Sequence, residues 1–101
     1  MSLEAEWEAT WVTVLQAKWI EQNEGPGKIE SSMAKVMGGG LARRVTQSCI
    51  DVLGACGLSD LHPIEKAFRD ARIFDIYEGT GEVQRLIIAR EILGYSPREL
   101  N

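Results

Sequence analysis

One carboxylate in this sequence is a candidate for proton chemistry. Glu78 sits between Tyr77 and Gly79, just ahead of the apolar run that spans Val83 to Leu93. A carboxylate in a loop entering a hydrophobic helix is open to desolvation, which disfavours its charged form and suits it to proton abstraction. Gly79 lets the backbone bend tightly or approach a ligand. Spacing alone describes a surface-loop glutamate equally well, so these residues define a candidate only. His62 precedes Pro63 and reads as a turn histidine, because no serine or cysteine is placed to act with it as a nucleophile. Gly54-x-x-Gly57 has the shape of a phosphate-holding turn but ends a helix instead of following a strand. Cys49 and Cys56 lack both a C-x-x-C spacing and a nearby histidine, so no metal site is expected. They read as buried small side chains in a reducing compartment.

The elements that must position Glu78 are helical. Trp7, Trp11, Val14 and Leu15, widened by Trp19 and Ile20, form the stripe of a helix over about Leu3 to Asn23. Three tryptophans on it suggest packing against more than one neighbour. Glu24-Gly25-Pro26-Gly27 breaks the chain. A second helix is expected from about Ile29 to Leu53, on the four-residue repeat of Met33, Met37, Leu41, Val45 and Cys49. Gly38-Gly39-Gly40 interrupts it, at a cost of about 1 kcal/mol per glycine relative to alanine. Because the stripe continues on both sides, we read one long helix whose glycines admit a close neighbour. Gly54 or Gly57 serves as a left-handed cap. Pro63 opens a third helix through about Ile73, and Phe74 to Gly79 reads as a loop. The last helix runs from Thr80 or Gly81 to Leu93, with Thr80 as N-cap, Gly94 as its stop and Pro97 preventing resumption. Its apolar residues cover most of its circumference, which predicts a central position in the bundle.

The chain has 101 residues, enough for one small domain, and 11 basic against 15 acidic residues give a net charge of −4. That balance lacks the basic footprint of a nucleic-acid or anionic-membrane binder. Arg43 and Arg44 read as a solvated helix face, and Arg69, Asp70 and Arg72 as members of weak ion pairs. No 18-residue apolar run offers a membrane span. Met1-Ser2-Leu3 leads into acidic sequence, without the apolar core of a signal peptide.

Taken together, the segments resemble the C-terminal helical domain of flavin-dependent acyl-CoA dehydrogenases, of the short- or medium-chain kind. The run Arg69-Asp70-Ala71-Arg72 through Ile76-Tyr77-Glu78-Gly79-Thr80, then Val83-Gln84-Arg85 and Ala89-Arg90-Glu91, is similar to that family's R-D-A-R/K, I-Y-E-G-T, I-Q-R and A-R-E blocks, in order and without gaps. Pro63-Ile64-Glu65-Lys66 matches its P-V-E-R block. The resemblance is tightest from Ala34 to Leu93 and looser from Trp11 to Met33.

The resemblance implies an all-α fold, an up-and-down helical bundle that is incomplete, with residues 1–101 forming a C-terminal domain fragment. It implies that Glu78 removes the proton α to an acyl-CoA thioester while FAD takes hydride from the β carbon. The thioester carbonyl would be polarised by the backbone N–H of Glu78 and a flavin hydroxyl. Tyr77 and Gly79 would lie beside the substrate, and Thr80, Gly81 and Glu82 match positions that contact FAD. The family's Q-x-x-G-G-x-G segment, which reaches the FAD of a neighbouring subunit, corresponds to Asp51 through Gly57. Here Asp51 replaces the glutamine and Ala55 a glycine, while Gly54 is retained. Implied partners are the acyl-CoA substrate, electron-transfer flavoprotein and further copies in a dimer or tetramer. The implied compartment is the bacterial cytoplasm or the mitochondrial matrix. A fragment lacking the flavin-holding domains is expected to be inactive alone. Two other readings stay open: a non-catalytic helical interaction module, which Asp51 and Ala55 favour, and a flavoenzyme relative acting on another substrate.

Overall fold

The computed structural model describes residues 2–96 and 98–99, and it is a bundle of four α-helices with no strand among those residues. Helix α1 spans Leu3–Asn23 and begins where the Ser2 hydroxyl accepts the Ala5 N–H at 3.3 Å, with Glu4 and Glu6 in the first turn. It ends at Glu24, and Gly25 and Gly27 adopt positive φ (130° and 44°) to reverse the chain. Helix α2, Lys28–Leu53, then runs back along α1. The antiparallel register shows in two side-chain contacts: Glu6 pairs with Arg44, and the Thr13 hydroxyl meets the Met37 sulfur at 3.7 Å.

The glycine triplet does not break α2. Its 26 residues form one helix, about 39 Å long at 1.5 Å per residue. At its end Gly54 takes φ 60° and ψ −135°, so the cap has positive φ without being a standard left-handed residue. A 3₁₀ turn over Gly54–Leu58 folds beneath the helix end. Helix α3, Pro63–Ala71, returns along α2, with Pro63 at its start and His62 exposed at its N-cap. It is shorter than its sequence suggests, because a second 3₁₀ turn takes over at Arg72–Asp75 and occupies part of the expected loop. Helix α4 spans Gly81–Leu93, capped by Thr80 in front and by left-handed Gly94 behind. Pro97 lies outside the described residues.

The central helix is α2, which corrects the expectation for α4. Helices α1, α3 and α4 all pack on α2 and make no extensive contact with one another. Gly39 and Leu41 of α2 are buried, whereas the broadly apolar α4 leaves Val83, Leu86, Ile92 and Leu93 between 47% and 66% exposed. Trp7 and Trp11 stack on each other at 5.7 Å and stay half-exposed, as does Trp19. Two further expectations fail. Cys56 is exposed and Cys49 only half-buried, because the 3₁₀ turn carries Cys56 past the end of the packed face. Arg43 and Arg44 are not a bare solvated face, since each reaches a carboxylate on another element.

The buried core is correspondingly small: Ala17, Leu41 and Ala71 are its only buried apolar side chains among the described residues, and Ser32 is buried with them. The accessible surface is 7234 Å², against about 5,700 Å² for a compact monomer of this mass. The radius of gyration is 16.4 Å, where about 13 Å is usual for this length. An open groove of about 500 Å³ between α1, α2 and α3, walled by Trp7, Leu41, Val45 and Phe74, accounts for part of the excess. Among the described residues, no helix is long and apolar enough to cross a membrane.

Candidate functional site

The loop that carries Glu78 is built from its two ends. At the near end, the carbonyl of Ile73 accepts the N–H groups of both Ile76 and Tyr77 at 3.0 Å, which closes the 3₁₀ turn. The Phe74 and Tyr77 rings pack 6.0 Å apart, and Lys35 of α2 lies over the Tyr77 ring at 4.7 Å. At the far end, the Thr80 hydroxyl accepts the Val83 N–H at 3.2 Å and its carbonyl accepts the Gln84 N–H at 2.9 Å. These bonds fix the start of α4. Losing the cap in Thr80→Ala is expected to cost about 1 kcal/mol, visible as a lower thermal midpoint.

Between those anchors, Glu78 has φ 56° and Gly79 has φ 91°. Glu78 is the only non-glycine residue with positive φ among the described residues. A bulky side chain in that region costs of order 1 kcal/mol. The Glu78 carbonyl accepts the Gln84 side-chain N–H at 3.5 Å, which ties the strained peptide to α4. A Cβ on Gly79 would come within 2.4 Å of that same Gln84 nitrogen. Glu78 and Tyr77 are exposed, so the desolvating walls expected around the carboxylate are not supplied by the described residues of this chain.

The candidate residues fall into two groups. Tyr77, Glu78, Gly79, Thr80, Gly81 and Glu82 are contiguous at the entry to α4. Asp51, Gly54 and Ala55 lie at the far end of α2, all exposed. Asp51 there accepts the Gln47 side-chain N–H at 3.0 Å. Gly39, which touches the Glu78-bearing segment, is 12 residues before Asp51, or about 18 Å along the helix. The structure does not bring the two groups together.

Sequence reasoning missed the residues under the loop. Asp75 wedges between α2 and α4: a Cβ on Gly39 would lie 3.3 Å from its Oδ1, and one on Gly81 only 2.5 Å from it. Arg43 faces the same carboxylate at 3.8 Å, and Lys35 donates to the Phe74 carbonyl at 2.6 Å. The available signal was the i, i+4, i+8 spacing of Lys35, Gly39 and Arg43, which places all three on one helix face. Resolved protonation shifts lie away from the loop. The Glu65 carboxylate raises Arg69 above its usual value by hydrogen bonding and by its charge, and the Ser96 N–H lowers Glu99. Among the described residues no cluster of histidine, cysteine and acidic side chains is set to hold a metal.

The fold and site define a helical bundle domain with open apolar faces and one strained, carboxylate-bearing loop. Residues 1–93 match the acyl-CoA dehydrogenase C-terminal domain family, and the chain belongs to that family. It is 39% identical over 93 residues to the mitochondrial short-chain specific acyl-CoA dehydrogenase of Rattus norvegicus, covering 92% of this chain and 22% of the relative. It is 36% identical over 80 residues to the probable acyl-CoA dehydrogenase YngJ of Bacillus subtilis (strain 168), covering 79% of this chain and 21% of that protein. Among solved structures, one described as electron transferring flavoprotein of Acidaminococcus fermentans matches with a TM-score of 0.86 and 30% identity, covering 90% of this chain and 24% of that one. The chain thus spans about a fifth of the length of the curated relatives it matches.

Proposed function

We propose that this chain is the C-terminal domain of an FAD-dependent acyl-CoA dehydrogenase in which Glu78 is the base that removes the α proton of an acyl-CoA thioester. The observation that carries the reading is the backbone at Glu78: a non-glycine residue held at φ 56° and tied by Gln84 to a capped helix. Strain of that kind persists where the surrounding structure fixes it, and such positions cluster at functional sites. The identity of the residue agrees, since an exposed loop carboxylate becomes a competent base once other surfaces cover it.

The residues at the start of α4 fit an anionic cofactor. The first N–H groups of a helix have no intrahelical partner, and the Thr80 hydroxyl takes only that of Val83, while buried Gly81 packs against Asp75 and Arg85. Thr80, Gly81 and Glu82 would hold the flavin there, and the bound flavin supplies the acceptor for the β hydride. Glu78 takes the α proton on its carboxylate, and its N–H donates to the thioester carbonyl oxygen, stabilising the negative charge that grows there. Tyr77 and Gly79 line the substrate on either side. Asp51, about 18 Å from Gly39 along α2, and Gly54 and Ala55 just past the helix end would serve the flavin of a neighbouring subunit in a dimer or tetramer. Electron-transfer flavoprotein would accept the electrons, in the bacterial cytoplasm or the mitochondrial matrix, and this chain alone would be inactive.

Joining this domain to its upstream flavin-holding domains tests the reading. A yellow protein bleached anaerobically by an acyl-CoA thioester is the expected result. A colourless protein that nonetheless folds would favour the interaction module instead. A yellow one that bleaches only with a different substrate class would point to another flavoenzyme.

A further inference from the structure

We infer that Lys35, Gly39 and Arg43 of α2 form a seat for the turn Arg72–Asp75 and act through it as positioning residues that set the place of Glu78. The inference rests on the reading of Glu78 as the base.

The three residues recur every four positions along α2 and share one face. Gly39, in the middle, is buried, and a Cβ there would lie 3.5 Å from the Phe74 carbonyl oxygen and 3.3 Å from Asp75 Oδ1. The turn therefore rests directly on the helix backbone. A cation stands on each side of the contact. Lys35 Nζ donates to the Phe74 carbonyl at 2.6 Å, and Arg43 faces the Asp75 carboxylate at 3.8 Å. Lys35 also covers the Tyr77 ring, one residue before Glu78. At the end of the turn, Asp75 also abuts Gly81 at the start of α4, so its carboxylate touches both α2 and α4. Glu78 itself makes no comparable anchor with its side chain, which is exposed. Its height above α2 is thus set by this seat, from below, and by Gln84, from α4.

A general base must sit within hydrogen-bond reach of its proton, so a shift of the turn affects the chemical step more than binding. The test uses Lys35→Met, Lys35→Arg and Gly39→Val in the flavin-bound protein that carries this domain, with Glu78→Gln alongside. Acyl-CoA binding is followed by perturbation of the flavin spectrum and reduction by stopped flow. Lys35→Met and Gly39→Val are expected to bind acyl-CoA as the parent does but to reduce flavin about 10- to 100-fold more slowly. Lys35→Arg, which keeps a donor for the Phe74 carbonyl, is expected to restore the rate. In the 101-residue chain, the strong intraresidue HN–Hα NOE that marks positive φ at Glu78 should weaken in Lys35→Met and survive in Lys35→Arg. Parental reduction rates in Lys35→Met and Gly39→Val, with Glu78→Gln slow, would overturn the seat and leave the base in place. A Glu78→Gln protein that reduces flavin at the parental rate would overturn both.

Discussion

Glu78→Gln is expected to slow flavin reduction by acyl-CoA by about 10²- to 10⁴-fold, the range that a positioned general base contributes. The amide has nearly the volume and shape of the carboxylate, so substrate binding and flavin colour should persist while proton abstraction is lost. The backbone N–H is unchanged, so the carbonyl-polarising contact stays and the loss isolates the base. A second variant separates chemistry from conformation. Glu78 pays for its φ of 56° in strain, and glycine adopts that region freely. Glu78→Gly should therefore remove the base while leaving the thermal midpoint unchanged or higher. A variant that is both inactive and no less stable would show that the strained loop serves function. If Glu78→Gln bleaches at the parental rate, the base is elsewhere.

The largest structural effect is expected from Gly57→Ala. Gly57 is buried in the 3₁₀ turn beneath the end of α2. A Cβ there would lie 3.0 Å from Ile50 Cα, 3.1 Å from the Ile50 carbonyl oxygen and 3.2 Å from Leu53 Cβ. Two of those neighbours are backbone, which cannot rotate away, so the turn must move. Such overpacking costs about 1–3 kcal/mol, which lowers the thermal midpoint by roughly 4–8 °C per kcal/mol in a domain of this size. Gly38→Ala provides the opposite sign. Its Cβ meets nothing within 4 Å, and alanine is favoured over a helix-interior glycine by up to about 1 kcal/mol. Equal effects from the two substitutions would mean that backbone propensity, and not close approach, governs these glycines.

Much of the fold was legible because the helix signals were local. Thr80 and Gly94 cap where side chain or backbone freedom allows, and the four-residue stripe of α2 correctly outweighed its three glycines. What failed depended on tertiary geometry. The apolar circumference of α4 pointed to a central helix, yet centrality is a tertiary property, and it is α2 on which the other three helices converge. The 3₁₀ turn at Arg72–Asp75 continues helical backbone angles with tighter bonds, so periodicity could not separate it from α3. At the site, the loop and the N-terminus of α4 were readable from the contiguous residues Tyr77 to Glu82. The support beneath them was not, because Lys35 and Arg43 are remote in sequence from Phe74 and Asp75, and an Arg-Arg pair looks the same on paper whether solvated or bound.

The packing of three helices onto one has a consequence for how the domain comes apart. Because α1, α3 and α4 each touch α2 and scarcely touch one another, each can lift off without dislodging the other two, whereas opening α2 releases all of them. Amide exchange would then divide into several independent partial openings at the periphery and one cooperative event in the middle. The loop bearing Glu78 hangs between a peripheral helix and the central one, so its lifetime in place is set by the weaker of those two attachments.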